Sequence, residues 1–320
     1  MEQELLDAFR EIDYVCSGDH SRQGAMVLGA AGEAPRPLLV ALHTWSFDFR
    51  HPSARGFAER CAERNWHLIF PNFRGPNNHP EGCGSELAVS DIVDAVRYMC
   101  ERFPVDESRV YLTGGSGGGY GTLLLAGRHP ELWAAASAWC PISDLVAWHR
   151  QCRGGKYAHY SEHIEASCGG DPQSDPAARQ EAERRSALTH LAGAAGLPLD
   201  IATGIHDGHS GSVPVSQAIY AFNLLAKPEE RFSEEEIEYI VRTETVPPHL
   251  STHESEPLYG EHTLLLRRVS GSVRLSLFEG AHDMLTDAAF AWLEKQRRGC
   301  SPDWSICDGI RKSGDDRLSF

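Results

Sequence analysis

The sequence predicts an α/β fold: a doubly wound, mostly parallel sheet that carries a cap-like insertion. Three observations point there. Short continuous apolar runs recur along the chain, amphipathic stretches at helical spacing separate them, and one run, "RVYLTG", empties into a burst of glycines before apolar residues resume. Strands that alternate with helices imply right-handed crossovers, and a strand covered on both faces reads as an unbroken apolar run.

In chain order, "PLLVALH" (37–43) and "WHLIFP" (66–71) are the first two buried strands, with the helix "HPSARGFAERCAERN" between them. "SELAVSDIVDAVRYMCERF" follows as a helix: Ala88, Ile92, Ala95, Val96 and Met99 form one stripe, and Ser85 is placed to cap it. Strand "RVYLTG" (109–114), a buried helix "YGTLLLAGRHP" that stops near Gly127 and Pro130, and strands "WAAASAWC", "LPLDIATG" and "SVRLSLFEG" complete the series. With 320 residues, 41% hydrophobic, and no repeat or Pro/Ser linker, one domain over 1–320 is expected. Two stretches are too long for simple connections. They are 141–196, the candidate cap, and 228–262, an acidic second insertion placed to pack on the rim or against a second copy in a homo-oligomer.

Thirty Lys+Arg against forty-five Asp+Glu leave a formal charge of -15, which repels a nucleic-acid backbone or an anionic membrane. Neither partner is expected. No apolar segment approaches the roughly 20 residues of a spanning helix, and the acidic opening "MEQELLDAFREIDYV" has no secretory h-region. The expected location is the cytoplasm. Nine cysteines, an odd number with no C-x-x-C pair, suggest reduced thiols, although Cys300 and Cys307 are close enough in sequence to close a small loop.

The glycine burst "GGSGGG" sits where open α/β sheets place their chemistry, at the end of a central strand and the start of a helix. A flexible linker would not join two strongly apolar elements without a polar spacer. A Walker loop needs a lysine that is missing, and G-x-G-x-x-G would require glycine or alanine at Tyr120. G-x-S-x-G does fit, with Gly114, Gly115, Ser116, Gly117 and Gly118 in register. That turn strains a serine so that its hydroxyl stands clear of the sheet. A serine hydroxyl needs a base, and the base needs an acid to orient it. Asp207 and His282 follow in the expected order, each just beyond an apolar strand.

In combination, "DESRVYLTGGSGGG", "PNFRG", "GIHDGHSGSVPVSQA" and "FEGAHDM" resemble the α/β-hydrolase superfamily. More narrowly, the chain is similar to the catalytic domain of the prolyl oligopeptidase family and to the single-domain esterases related to it. The likeness runs over roughly residues 20 to 298. It implies nucleophile Ser116, acid Asp207 and base His282, with an oxyanion hole formed by the N–H of Gly117 and an N–H of the loop "LHTWSFDF". Relatives carry His-Gly before the donor, so Thr44 replaces a glycine and Trp45 is the implied donor. The gating propeller of the larger peptidases has no counterpart expected in these 320 residues. One departure is the loop "GHSGS" between Asp207 and Val213-Pro214, which leaves Asp200 and Asp283 as rival acids.

The expected activity is therefore hydrolysis of a carboxylic ester through an acyl-enzyme, with an acylated carbohydrate among the candidate substrates. A serine peptidase of the prolyl oligopeptidase type acting on short peptides is the alternative, and a non-catalytic binding protein on the same fold is the third. Substrate contacts are sought at Arg74 and, in the cap, at Trp148, His149, Tyr157 and Tyr160. No cofactor is expected: His206 with His209, and His159 with His163, have metal-like spacing but lack the partners a zinc site needs.

Overall fold

The computed structural model describes residues 2–252, 256–305 and 317–319, so Cys307 lies outside the described residues. Nine strands form one sheet: β1 (Arg10–Val15), β2 (Arg22–Leu28), β3 (Arg36–Leu42), β4 (His67–Pro71), β5 (Val105–Gly115), β6 (Ala135–Trp139), β7 (Leu199–Gly204), β8 (Leu264–Ser270) and β9 (Val273–Phe278). Their spatial order is β1-β2-β4-β3-β5-β6-β7-β9-β8. The six from β4 to β9 run parallel, while β1, β2 and β8 are antiparallel additions at the edges. Beyond them, β10 (Asp283–Leu285) pairs with β11 (Arg317–Ser319).

The helices are α1 (Glu2–Asp7), α2 (Ser53–Arg64), α3 (Glu86–Arg102), α4 (Gly117–Arg128), α5 (Leu145–Cys152), α6 (Ala158–Cys168), α7 (Pro176–Arg185), α8 (Ala187–His190), α9 (Ser216–Leu225), α10 (Glu234–Thr243) and α11 (Thr286–Glu294). The apolar runs are explained by burial on both faces of the sheet. In β3, Leu38, Val40 and Leu42 enter the core beneath α3, α4 and α9, while Leu39 and Ala41 enter the core beneath α2 and α11. Ser85 caps α3 as expected, its side chain accepting from Ala88 N at 3.1 Å, a contact worth about 1 kcal/mol. The stretch 141–196 folds as α5 to α8 with a following 3-10 turn, and α5, α6 and α7 pack on one another. No helix among the described residues is long and apolar enough to cross a membrane.

Candidate active site

Register brings the strand ends level at one edge. Leu42 of β3 pairs with Gly114 of β5, Gly115 with Trp139 of β6, and Gly204 of β7 with Phe278 of β9. Trp45, Ser116, Asp207 and His282 each follow one of those ends, so the topology itself gathers them.

Ser116 has φ 58° and ψ −121°, a conformation an L-residue adopts only when its surroundings force it. Its N–H donates to Trp139 O at 2.9 Å and its carbonyl accepts from Tyr120 N at 2.9 Å, which turns the chain from β5 straight into α4. The neighbouring glycines are required by close approach. A Cβ on Gly117 would lie 2.3 Å from Trp45 N, one on Gly118 2.3 Å from Leu42 O, and one on Gly119 2.5 Å from Trp139 O. The first turn of α4 is thus pressed between the loops after β3 and β6, where no side chain fits.

Gly117 opens α4, so its N–H belongs to the turn that has no intrahelical acceptor, and its Cα is packed against the backbone of Trp45. Asn77 N donates to Trp45 O at 2.8 Å and holds that loop from behind. His43 holds it from within: one ring nitrogen lies 2.9 Å from Thr44 O and the other 2.7 Å from Asn72 O, with the ring stacked on Phe73. Burial pushes the His43 pKa down. Sequence reasoning passes over His43, although it stands in the marked loop "LHTWSFDF", and over Asn77, which lies two residues beyond the marked "PNFRG".

His282 Nδ1 lies 2.6 Å from Asp207 Oδ2. Asp207 Oδ1 accepts from Gly208 N at 3.0 Å and from Val213 N at 3.1 Å, so the carboxylate is held from both ends of the long "GHSGS" loop. Of the rivals, Asp200 is paired with Arg274 at 2.7 Å, and Asp283 Oδ2 accepts from Ala281 N at 3.4 Å. Cys140 packs beside Asp207 and His282, its Sγ 3.3 Å from Asp283 O. Burial raises its thiol pKa well above the ordinary value, which keeps it a neutral thiol rather than a nucleophile.

The substrate candidates separate by burial. Arg74 is enclosed and divides its guanidinium between Asp91 and Asp19, at 2.9 Å and 2.8 Å, the arrangement of a brace between loops. Trp148 and His149 are 1% and 0% exposed, and their ring nitrogens bond within the chain, Nε1 to Ser212 O and Nε2 to Glu165. Only Tyr157 and Tyr160 keep part of their surface open. Of the five candidates, Arg74, Trp148 and His149 are thus engaged inside the chain, and Tyr157 and Tyr160 are the more open. Aromatic residues enriched in a cap make its small core as readily as its lining, and sequence cannot separate the two.

The spaced histidines are engaged with their surroundings. His209 Nε2 donates to Val241 O at 2.6 Å, while the rings of His159 and His163 stand 5.7 Å apart. His206 lies between two carboxylates, Nε2 at 2.5 Å from Glu279 and Nδ1 at 2.8 Å from Glu244, and it ties the loops bearing Asp207 and His282 to the second insertion. The bond to Glu279, then that to Glu244, raises its pKa above the ordinary imidazole value. The stability it contributes is complete below the unfolded value, about 6.5, and is lost as pH rises through the higher folded value. The difference in melting midpoint between the wild type and His206→Gln is therefore expected to be largest near pH 6 and to shrink as the pH rises; a difference that widens toward alkaline pH would contradict the double ion pair.

A family model described as the prolyl oligopeptidase family matches residues 84–245, just over half of the chain. The chain belongs to the prolyl oligopeptidase family. It is accordingly a member of the α/β-hydrolase superfamily, and the solved structures of this family agree on the fold. Uncomplexed acylaminoacyl peptidase of Pyrococcus horikoshii aligns at a TM-score of 0.56 over 86% of this chain and 38% of that one, at 14% identity. The S511A mutant of puromycin hydrolase aligns at 0.55 over 74% and 37%, at 16% identity. Among curated relatives, acylamino-acid-releasing enzyme 1 of Oryza sativa subsp. japonica is 28% identical over 120 residues, 35% of this chain and 15% of that protein. Feruloyl esterase B of Talaromyces funiculosus is 44% identical over 78 residues, 21% of this chain and 22% of that protein. The chain thus spans only a fraction of the prolyl oligopeptidase relatives it matches.

Proposed function

We propose that this chain is a serine hydrolase that cleaves a carboxylic ester through an acyl-enzyme, with Ser116 as nucleophile, His282 as base and Asp207 as the acid that orients it. The observation that carries the reading is the strained Ser116 elbow on the same sheet edge as an Asp207–His282 contact of 2.6 Å, in the chain order Ser, Asp, His. Ser116 Oγ attacks the acyl carbon as its proton passes to His282 Nε2. The oxyanion forms against the N–H groups of Gly117 and Trp45, whose backbones are in direct contact. His282 then protonates the departing alcohol, and water repeats the path to release the acid. The helices α5 to α8 form the cap, with Tyr157 and Tyr160 as its part-open aromatic residues.

The relatives divide by name between esterase and peptidase, so leaving-group chemistry decides the substrate class. An amide nitrogen must be protonated as it departs, which demands closer positioning than an alkoxide does. For these 320 residues, turnover of an unactivated alkyl or sugar ester is expected to exceed that of a peptide amide with the same acyl group by at least about a hundredfold, a barrier difference of roughly 2.7 kcal/mol. Equal or faster amide cleavage would move the reading to a peptidase acting on short peptides. The assay is a parallel panel of acetyl, butyryl and feruloyl esters, acetylated oligosaccharides and short peptide amides.

A further inference from the structure

The loop 208–212, which separates Asp207 from Val213, is held from outside by the cap. Tyr157 Oη donates to Ser210 O at 3.1 Å, and Trp148 Nε1 donates to Ser212 O at 2.9 Å. Between those two carbonyls lies Gly211, where a Cβ would stand 2.1 Å from Asp207 Oδ1 and 2.7 Å from His282 Cβ. The loop backbone is therefore in contact with acid and base at once. Its two ends bond the acid directly, through Gly208 N and Val213 N.

We propose that Trp148 and Tyr157 are positioning residues: they set the catalytic acid by holding the carbonyls of Ser212 and Ser210, so that the cap determines turnover as well as what enters. The proposal rests on the serine hydrolase reading given above. Trp148 carries the larger share, because it is 1% exposed and a hydrogen bond shielded from water is stronger than one at the surface. It also reaches the opposite side of the site, since its ring meets that of Trp45 edge-on at 4.8 Å. One buried residue thus touches the loop that holds the acid and the loop that supplies the oxyanion donor. Tyr160 adds to the link, its ring packing against that of Trp148 at 5.0 Å between centroids. A shift of about 1 Å in catalytic geometry can cost on the order of a hundredfold in rate, so modest loosening of the loop should be measurable.

The test removes each donor and keeps each ring: Tyr157→Phe, and replacement of Trp148 by β-(3-benzothienyl)alanine, which has the shape of tryptophan without the N–H. Two readouts are taken on folded protein, kcat and KM for p-nitrophenyl acetate and the rate of covalent labelling by a small fluorophosphonate. The Trp148 replacement is expected to lower kcat and labelling rate together by about 10-fold, and Tyr157→Phe by about 3-fold, with KM within about twofold of wild type. A role in substrate contact alone would raise KM for p-nitrophenyl acetate and leave labelling unchanged, which overturns the proposal. So would a lowered melting midpoint with an unaltered labelling rate, the mark of a purely structural contact. Failure of the wild type to label at all would overturn the serine hydrolase reading, and this proposal with it.

Discussion

Ser116→Ala is expected to reduce ester turnover by about 10⁴-fold or more and to leave the fold intact. The two effects separate because of where the serine sits. At φ 58° and ψ −121° the cost lies in placing any Cβ there, and alanine has the same Cβ, so the strain is unchanged and stability should move by less than about 1 kcal/mol. What disappears is the oxygen proposed to attack the acyl carbon. Labelling by a fluorophosphonate, expected at this one residue in the wild type, should vanish with it. Near-normal turnover by a correctly folded variant would remove Ser116 from the mechanism.

Asp207→Asn is expected to lower kcat by about 10³- to 10⁴-fold while KM changes little, because an amide in place of the carboxylate holds the wrong imidazole tautomer and cannot stabilise the imidazolium. The structure makes this a test among three acids. Asp200→Asn would break a buried pair with Arg274, where each side chain is 5% exposed or less, and so should cost about 3–5 kcal/mol of stability while the folded remainder keeps its turnover. Asp283→Asn should cost less than either. Melting midpoints and kcat measured on the three variants distinguish them, and a loss of kcat largest in Asp200→Asn or Asp283→Asn would reassign the acid.

The central strands were legible because each is buried on both faces, and an unbroken apolar run leaves few other readings. The edges were not. Only Tyr14 of β1 is buried, and β8 is interrupted by Arg267 and Arg268, so half-exposed antiparallel strands carry a mixed pattern that resembles a loop. Helix α4 begins at Gly117, three residues before the apolar spacing suggested, because glycine has poor helix propensity and this first turn is dictated by packing against β3 and β6. The long loop after Asp207 made Asp200 and Asp283 rivals in sequence, and the contact with His282 exists only once β7 and β9 lie side by side.

By itself the sequence determined the parallel sheet, the tight turn at Ser116 and the chain order of Ser116, Asp207 and His282, since each depends on residues close together along the chain or on which side chains can face a core. Tertiary structure alone decided which carboxylate meets His282, that Arg74 braces Asp19 and Asp91, and that Trp148 and His149 are enclosed while Tyr157 and Tyr160 stay part open. The physical reason is that these arrangements are defined by their partners, and those partners lie 75 residues away for Asp207 and His282, 55 for Arg74 and Asp19, and 64 for Trp148 and Ser212, separations that only folding closes.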